Sequence, residues 1–344
     1  MNNTHSKTQI DTHSNTHRTS EKEKDKNQNS QSANNPVDLS VNIAGVHFKN
    51  PVIAASGTFG FGEEYAQLVN VDALGGICSK GLTLEARQGN TGKRLHETAS
   101  GLINSIGLEN PGIETFIKRQ LKTMLSFNTV SIANLSGSTI ESYVEGARLL
   151  DETEIPMIEL NISCPNVKQG GMAFGLDPIS AAEVTTAVRK ATRKPLIVKL
   201  SPNAPKLLSV AEAVQESGAD ALSLINTIQA MAINIERGKP VFDNVKAGLA
   251  GPAIKPIALS MVWDVCKMMQ EKKEKDRIPV IGLGGIRNWI DAVEFIMAGA
   301  SAIQVGVATF ANPQAMEEII AGIETFMKRK NYTTIEDFRG LALE

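Results

Sequence analysis

Chemistry in this chain gathers on the stretch Glu159-Leu-Asn-Ile-Ser-Cys-Pro-Asn166, followed by Val-Lys-Gln-Gly-Gly171. The short apolar run from Met157 to Leu160 reads as a buried strand that ends abruptly in polar, Pro-containing sequence. Asn161, Ser163, Cys164 and Asn166 then fall just past the strand's carboxyl end, the edge at which parallel α/β proteins bind ligands. Of the three cysteines, Cys164 is the one set among polar groups, and it is the candidate acid/base. Cys78, in Gly-Gly-Ile-Cys, and Cys266, in Met-Val-Trp-Asp-Val-Cys, read as inert core thiols. His47, in a short hairpin pattern, reads as a surface or packing residue.

The other strand ends extend the set. Strands are expected at 52–55, 75–79, 129–133, 157–160, 196–200, 220–225, 278–282 and 302–306. Their carboxyl ends carry Ala55-Ser-Gly-Thr58, Ser79-Lys-Gly81, Asn134, Asn161 with Cys164, Lys199, Asn226-Thr227, Gly282-Leu-Gly-Gly285 and Gly306. Glycines after the last two strands suit backbone N–H groups brought against a phosphate, although ordinary turn glycines would look the same. Gly251 can add a donor to that cradle. Lysines and asparagines at one mouth suit a planar, acceptor-rich, anionic ligand, because an Asn side chain both donates and accepts. Lys199 lies on an otherwise apolar strand and needs an anionic partner if buried.

The elements that must position these residues alternate strand with helix. Ser138-Thr-Ile-Glu141 is a capping-box pattern, followed by Ile140, Tyr143, Val144 and Ala147 on one face. Leu207, Val210, Ala211 and Val214 repeat the helical spacing and stop at Gly218; Ile290, Val293 and Met297 do so before Gly299. Ser217-Gly-Ala-Asp-Ala-Leu-Ser-Leu224 echoes Ala298-Gly-Ala-Ser-Ala-Ile-Gln-Val305. Eight such units over this length predict a (β/α)8 TIM barrel, with an open doubly wound sheet as the local-pattern alternative. A small N-terminal β-hairpin over Val37–Phe48 precedes it. Two connections, 81–112 and 228–255, exceed what the fold needs, and long βα loops carry function. The second is expected to form a hairpin from Ile233-Asn-Ile-Glu to Lys-Pro-Val-Phe.

The 344 residues carry a formal net charge of −2, which argues for neither nucleic acid nor membrane as partner. Residues 1–36 are polar and low in complexity, and are expected to be a disordered tail ahead of a catalytic domain at 37–344. Its three histidines are too irregularly spaced to suggest a metal site. No apolar run is long enough to span a bilayer, and three cysteines make no disulfide framework. A cytoplasmic, reducing setting is expected. No His/Cys/carboxylate cluster has metal-ligand spacing.

Several ordered motifs together resemble one family. They are Ala55-Ser-Gly-Thr-Phe-Gly, Ser79-Lys-Gly, Asn104-Ser-Ile-Gly-Leu, Asn134, Asn161-Ile-Ser-Cys-Pro-Asn, Val198-Lys-Leu-Ser-Pro-Asn203, Ile225-Asn-Thr, Gly251-Pro-Ala-Ile-Lys-Pro256, Gly282-Leu-Gly-Gly-Ile and Gly306. Over roughly residues 38–335 the sequence resembles the catalytic subunit of class 1B, NAD-linked dihydroorotate dehydrogenases. The resemblance implies a barrel that holds FMN and oxidises (S)-dihydroorotate to orotate in pyrimidine synthesis. It implies that Cys164 takes a proton from ring carbon five while hydride passes from carbon six to the flavin. FMN would be held by Ser56, Lys80, Gly81, Asn134, Asn161, Lys199, Ile225, Gly251, Gly284, Gly285, Gly306 and Val307. Substrate would be held by Lys80, Asn104, Ser105, Ile106, Gly107, Leu108, Asn161, Asn226 and Thr227. Asn166-Val-Lys-Gln-Gly-Gly-Met-Ala-Phe-Gly175 resembles class 1B rather than the fumarate-using class 1A. Class 1B implies a homodimer within a heterotetramer, whose other subunit carries FAD and a [2Fe–2S] cluster and passes electrons to NAD. The competing readings are a fumarate-linked enzyme, a phosphate-binding barrel isomerase or synthase without flavin, and a non-catalytic barrel.

Overall fold

The computed structural model describes residues 36–163 and 174–344, so the tail expected at 1–36 falls almost wholly outside the described residues. The alternation of apolar runs with turn glycines is realised in chain order. Strands β1 (Val41–Ile43) and β2 (Val46–Phe48) form the leading hairpin, and β3 (Val52–Ala54) and β4 (Gly76–Cys78) open the barrel. The chain then leaves the barrel for a hairpin of β5 (Leu95–Thr98) and β6 (Gly101–Asn104). It returns through β7 (Val130–Leu135), β8 (Met157–Asn161), β9 (Leu196–Lys199) and β10 (Ala221–Leu224). It departs again through β11 (Ile228–Ala230), β12 (Ile233–Asn234), β13 (Lys239–Pro240) and β14 (Ala247–Ala250), and closes with β15 (Val280–Leu283) and β16 (Ala302–Val305).

The eight barrel strands follow the order β10-β15-β16-β3-β4-β7-β8-β9 in a closed ring. Parallel pairing of β16 with β3 (Ile303 beside Val52, Val305 beside Ala54) joins the last strand to the first. That seam excludes the open sheet. Each strand lies within two residues of its expected bounds. These strands read as continuous apolar runs because both faces are covered, by helices outside and barrel filling within. Ile158 and Leu160 of β8 are therefore as buried as Glu159 between them.

Helix ends follow local chemistry. The helices Leu207–Glu216 and Trp289–Met297 stop at Gly218 and Gly299, with φ of +99° and +104°. A β-carbon on Gly299 would also sit 2.6 Å from Cys266 Cβ, so this turn needs glycine for two reasons. The expected capping box is displaced by one residue. Helix Ile140–Asp151 takes Thr139 as its N-cap and Ser142, not Glu141, as the reciprocal partner. Ser142 reaches back to the Thr139 N–H at 3.2 Å, which leaves Glu141 in the first turn, where the helix dipole favours it.

Both long connections hold more structure than loop chemistry suggests. The expected hairpin forms from β12 and β13. Beyond it, β5 and β6 from the first connection join β11 and β14 from the second in a four-stranded sheet ordered β11-β14-β6-β5. Ile103, Phe242 and Ala247 make a small separate core behind it. The turn between β5 and β6 presses onto the barrel: Ala253 N–H donates to Ser100 O at 2.9 Å. A β-carbon on Gly101 would lie 2.1 Å from Ala250 O, and one on Gly251 2.6 Å from Gly101 Cα.

That backbone contact gives a test. Gly101→Ala should force the β5–β6 hairpin away from Gly251 and expose it to protease. The melting temperature should change little, because none of the eight barrel strands is touched. Unchanged protease resistance between residues 95 and 104 would show that the close approach is dispensable.

Candidate active site

Above the carboxyl ends of the barrel strands lies a cavity of about 830 Å³, walled on one side by the β5–β6 hairpin. The phosphate-type end is built by glycines. Gly251, Gly284 and Gly285 adopt φ of +103°, +128° and +79°. A β-carbon on Gly285 would stand 2.7 Å from Lys255 N and 2.9 Å from Gly251 O. The turn after β15 is thus packed onto the start of helix Lys255–Glu271, which brings it to the positive end of that helix's dipole. Gly306 differs, since a β-carbon there would meet nothing closer than Thr58 Cγ2 at 3.7 Å. The protein leaves that space open, and a side chain would project into it. Gly306 and Val307 both line the cavity, as does Ser56 after β3.

The polar wall comes from other strand ends. Lys80 and Gly81 after β4, Asn161 on β8, Lys199 on β9 and Ile225, Asn226 and Thr227 after β10 all line the cavity. From the first long connection, Asn104, Ile106, Gly107 and Leu108 do so too. Hydrogen bonds hold the asparagines. Ser163 donates to Asn161 Oδ1 through its N–H and hydroxyl, at 3.3 and 3.0 Å. Asn226 Nδ2 donates to Ser163 Oγ at 2.9 Å, while its Oδ1 accepts the Thr227 N–H at 2.8 Å. Asn104 Nδ2 donates to Gly248 O at 3.1 Å, which ties the hairpin to β14. Two expected residues lie behind the wall. Ser105 is buried against Asn90 and Asn244. Asn134 lies under Asn161, whose Nδ2 donates to its Oδ1 at 3.3 Å. Cys164 and Asn166 fall outside the described residues.

The sequence reading passed over Glu159. Its carboxylate is fully buried inside the barrel and is met from five strands. Oε1 accepts from Asn134 Nδ2 at 2.7 Å and from Cys78 Sγ at 3.3 Å, with Lys199 Nζ at 3.6 Å. Oε2 accepts from Ser223 Oγ at 2.9 Å and Gln304 Nε2 at 2.7 Å. Lys199 therefore has its anionic partner within the protein. The signal was present: a carboxylate in the middle of a buried strand cannot stay charged without such partners. Burial pushes the Glu159 carboxyl upward, but the Lys199 cation and the donors from Gln304, Ser223 and Cys78 outweigh it and hold it below its ordinary 4.5. A carboxyl lowered in this way contributes stability that is complete above 4.5 and is lost as pH falls through its folded value.

The same carboxylate acts on Cys78. Burial first, then the negative charge of Glu159, pushes this thiol well above its ordinary value. Cys78 is thus not surrounded by apolar groups alone, as its sequence context implied, yet it is inert for a stronger reason. Burial pushes Cys266 up to about 12.

A closed (β/α)8 barrel with glycine turns after its last two strands and a lysine–asparagine wall around one cavity belongs to the barrels whose site lies at the carboxyl ends of the strands. Known proteins narrow this. The family profile for dihydroorotate dehydrogenase matches residues 38–327, and the chain belongs to that family. Relatives named dihydroorotate dehydrogenase B (NAD(+)), catalytic subunit, include one from Petrotoga mobilis that is 55% identical, with 89% of this chain aligned to 99% of that protein. Those from Caldicellulosiruptor saccharolyticus and Bacteroides thetaiotaomicron are 51% and 50% identical, over 88% and 89% of this chain and 99% of each relative.

Thiolate is the reactive form of cysteine, so the two described thiols should be silent. In folded Cys164→Ala protein at pH 8, an aromatic disulfide reagent should label no thiol rapidly, and two after unfolding. Rapid labelling of Cys78 would contradict the burial and charge argument.

Proposed function

We propose that this chain is the catalytic subunit of an NAD-linked dihydroorotate dehydrogenase, oxidising (S)-dihydroorotate to orotate in pyrimidine synthesis with FMN in the barrel mouth. The observation that carries this reading is that one cavity is lined by both the glycine cradle and the Lys80–Asn104–Asn226 wall. The residues fit FMN. The space beside Gly306 is open, Gly284 and Gly285 lie by a helix start, and Gln304, which lines the cavity, has a buried Oε1 without a hydrogen-bond partner.

Ser56, Lys80, Gly81, Asn134, Asn161, Lys199, Ile225, Gly251, Gly284, Gly285, Gly306 and Val307 would hold the cofactor. When bound, FMN supplies the two-electron acceptor for the hydride leaving ring carbon six. Cys164 removes the proton from ring carbon five, so that one proton and one hydride leave the substrate and a ring double bond forms. Lys80 offers positive charge to the substrate carboxylate, and the asparagines with Thr227 read its amide edges in both directions. Ser105 and Ile106 to Leu108 shape the connection that carries Asn104. Lys199 would supply positive charge from the cavity wall to a cofactor that gains negative charge on reduction. The β5–β6 hairpin wall keeps water from the reacting atoms.

The relatives' name supports a partner subunit, and the chain's own three cysteines are too few for a [2Fe–2S] cluster held by four cysteine thiolates. Electrons therefore pass to a second subunit bearing FAD and that cluster, and then to NAD, in a heterotetramer built on a dimer of this chain. A fumarate-linked enzyme is the second reading; the Asn166 to Gly175 pattern and the relatives' names favour NAD.

Replacing Cys164 separates binding from chemistry. Cys164→Ala should keep FMN bound while rapid mixing with dihydroorotate shows flavin reduction slowed by orders of magnitude, on the order of 10²-fold or more for a lost general base. Cys164→Ser should retain part of the rate. Near-normal reduction in the alanine variant would sink the assignment.

A further inference from the structure

Glu159 does not line the cavity, yet two of the groups that meet it do. Lys199 and Gln304 are 4% and 1% exposed and belong both to the cavity wall and to the Glu159 cluster. The Lys199–Glu159 separation of 3.6 Å exceeds the ~2.8 Å of a tight charge-assisted bond. Glu159 thus balances the ammonium without saturating its three donors. Gln304 is fixed more strictly. A carboxylate only accepts, so the end of the amide that faces it at 2.7 Å must be the NH2. The amide oxygen is then held at the opposite end, buried and without a hydrogen-bond partner. A buried acceptor left unanswered is costly, and Gln304 alone of the four residues with such an atom also belongs to the cavity wall, where a ligand could bring a donor.

We propose that Glu159 is the positioning residue of the cofactor site. Its charge anchors the Lys199 ammonium there, and its acceptance from Gln304 turns that amide oxygen toward a ring N–H donor of the bound cofactor. This rests on the reading of the cavity as an FMN site. Glu159 acts through Lys199 and Gln304 and touches neither cofactor nor substrate. Its other donors, Asn134, Cys78 and Ser223, complete the compensation that lets a carboxylate stay charged under the site. Without Glu159, Lys199 loses its one ion pair among the described residues, and with it the anchor that keeps its ammonium at the cavity wall.

The experiment is a double-mutant cycle read by the midpoint potential of bound FMN. Wild-type protein must first bind FMN; if it does not, the cavity reading fails and this inference with it. Given binding, Lys199→Met should lower the potential, since a cation beside the reduced ring is lost. Glu159→Gln should lower it in the same direction, and Glu159→Gln/Lys199→Met should go no further than Lys199→Met alone. A higher potential in Glu159→Gln, or shifts that add, would overturn the role of Glu159 while leaving the FMN site standing. Gln304→Met keeps the ion pair and removes the amide, so it tests the second arm even if Glu159→Gln fails to fold. Its FMN dissociation constant should rise about tenfold, the effect of one lost buried hydrogen bond. An unchanged constant would overturn the assignment of the amide oxygen to the cofactor.

Discussion

A carboxylate enclosed in a barrel core must be answered from every side or it will not stay ionised, and Glu159 sets that constraint here. Its five partners come from β4, β7, β9, β10 and β16. Each of those strands must therefore hold its register around the ring. The β8–β9 register, with Asn161 beside Lys199, raises the cation and an asparagine together to the cavity wall. The β7–β8 register sets Asn134 beside Glu159, one layer lower. A one-residue slip in any of these strands would turn the polar group outward. Core and site thus share one polar network, with the structural layer below and the ligand-facing layer above.

Around that network the mouth is divided by chemistry. Glycine turns after β15 and β16 line one side of it, and the positive end of the helix Lys255–Glu271 dipole stands beside the first of them. Asparagines tied to one another, to Ser163 and to Thr227 keep their amides oriented before any ligand arrives. Such preorganisation matters most for a reaction in which charge develops in an enclosed site. The β5–β6 hairpin is locked to β14 by a four-stranded sheet and seated on the barrel through a glycine-to-glycine approach. The wall of the cavity is therefore as definite as its floor.

Much of this could be read from the residues. The eight strand runs stood out because apolar β segments ended in glycines, lysines or asparagines, and their carboxyl ends supplied Lys80, Asn161, Lys199, Asn226 and the Gly284–Gly285 turn of the cavity lining. Two things were hidden. The four-stranded sheet joins β6 to β14 across more than a hundred residues with short, glycine-bearing strands, and local pattern carries no such pairing. Glu159 was absorbed into an apolar run, although the need of Lys199 for an anion had been recognised. The two halves of that ion pair sit on adjacent strands, and sequence spacing alone does not join them. The displaced capping box has a similar origin: Ser142 could serve as partner as well as Glu141, and geometry chose between them.

The central claim is that this barrel takes a hydride and a proton from dihydroorotate with its own bound flavin. The direct measurement is anaerobic addition of (S)-dihydroorotate to the purified, FMN-loaded chain while visible absorbance is followed. The account predicts that the oxidised flavin band bleaches and that one orotate forms per flavin, without any partner subunit present. A flavin that stays bound and oxidised in the presence of substrate would contradict it.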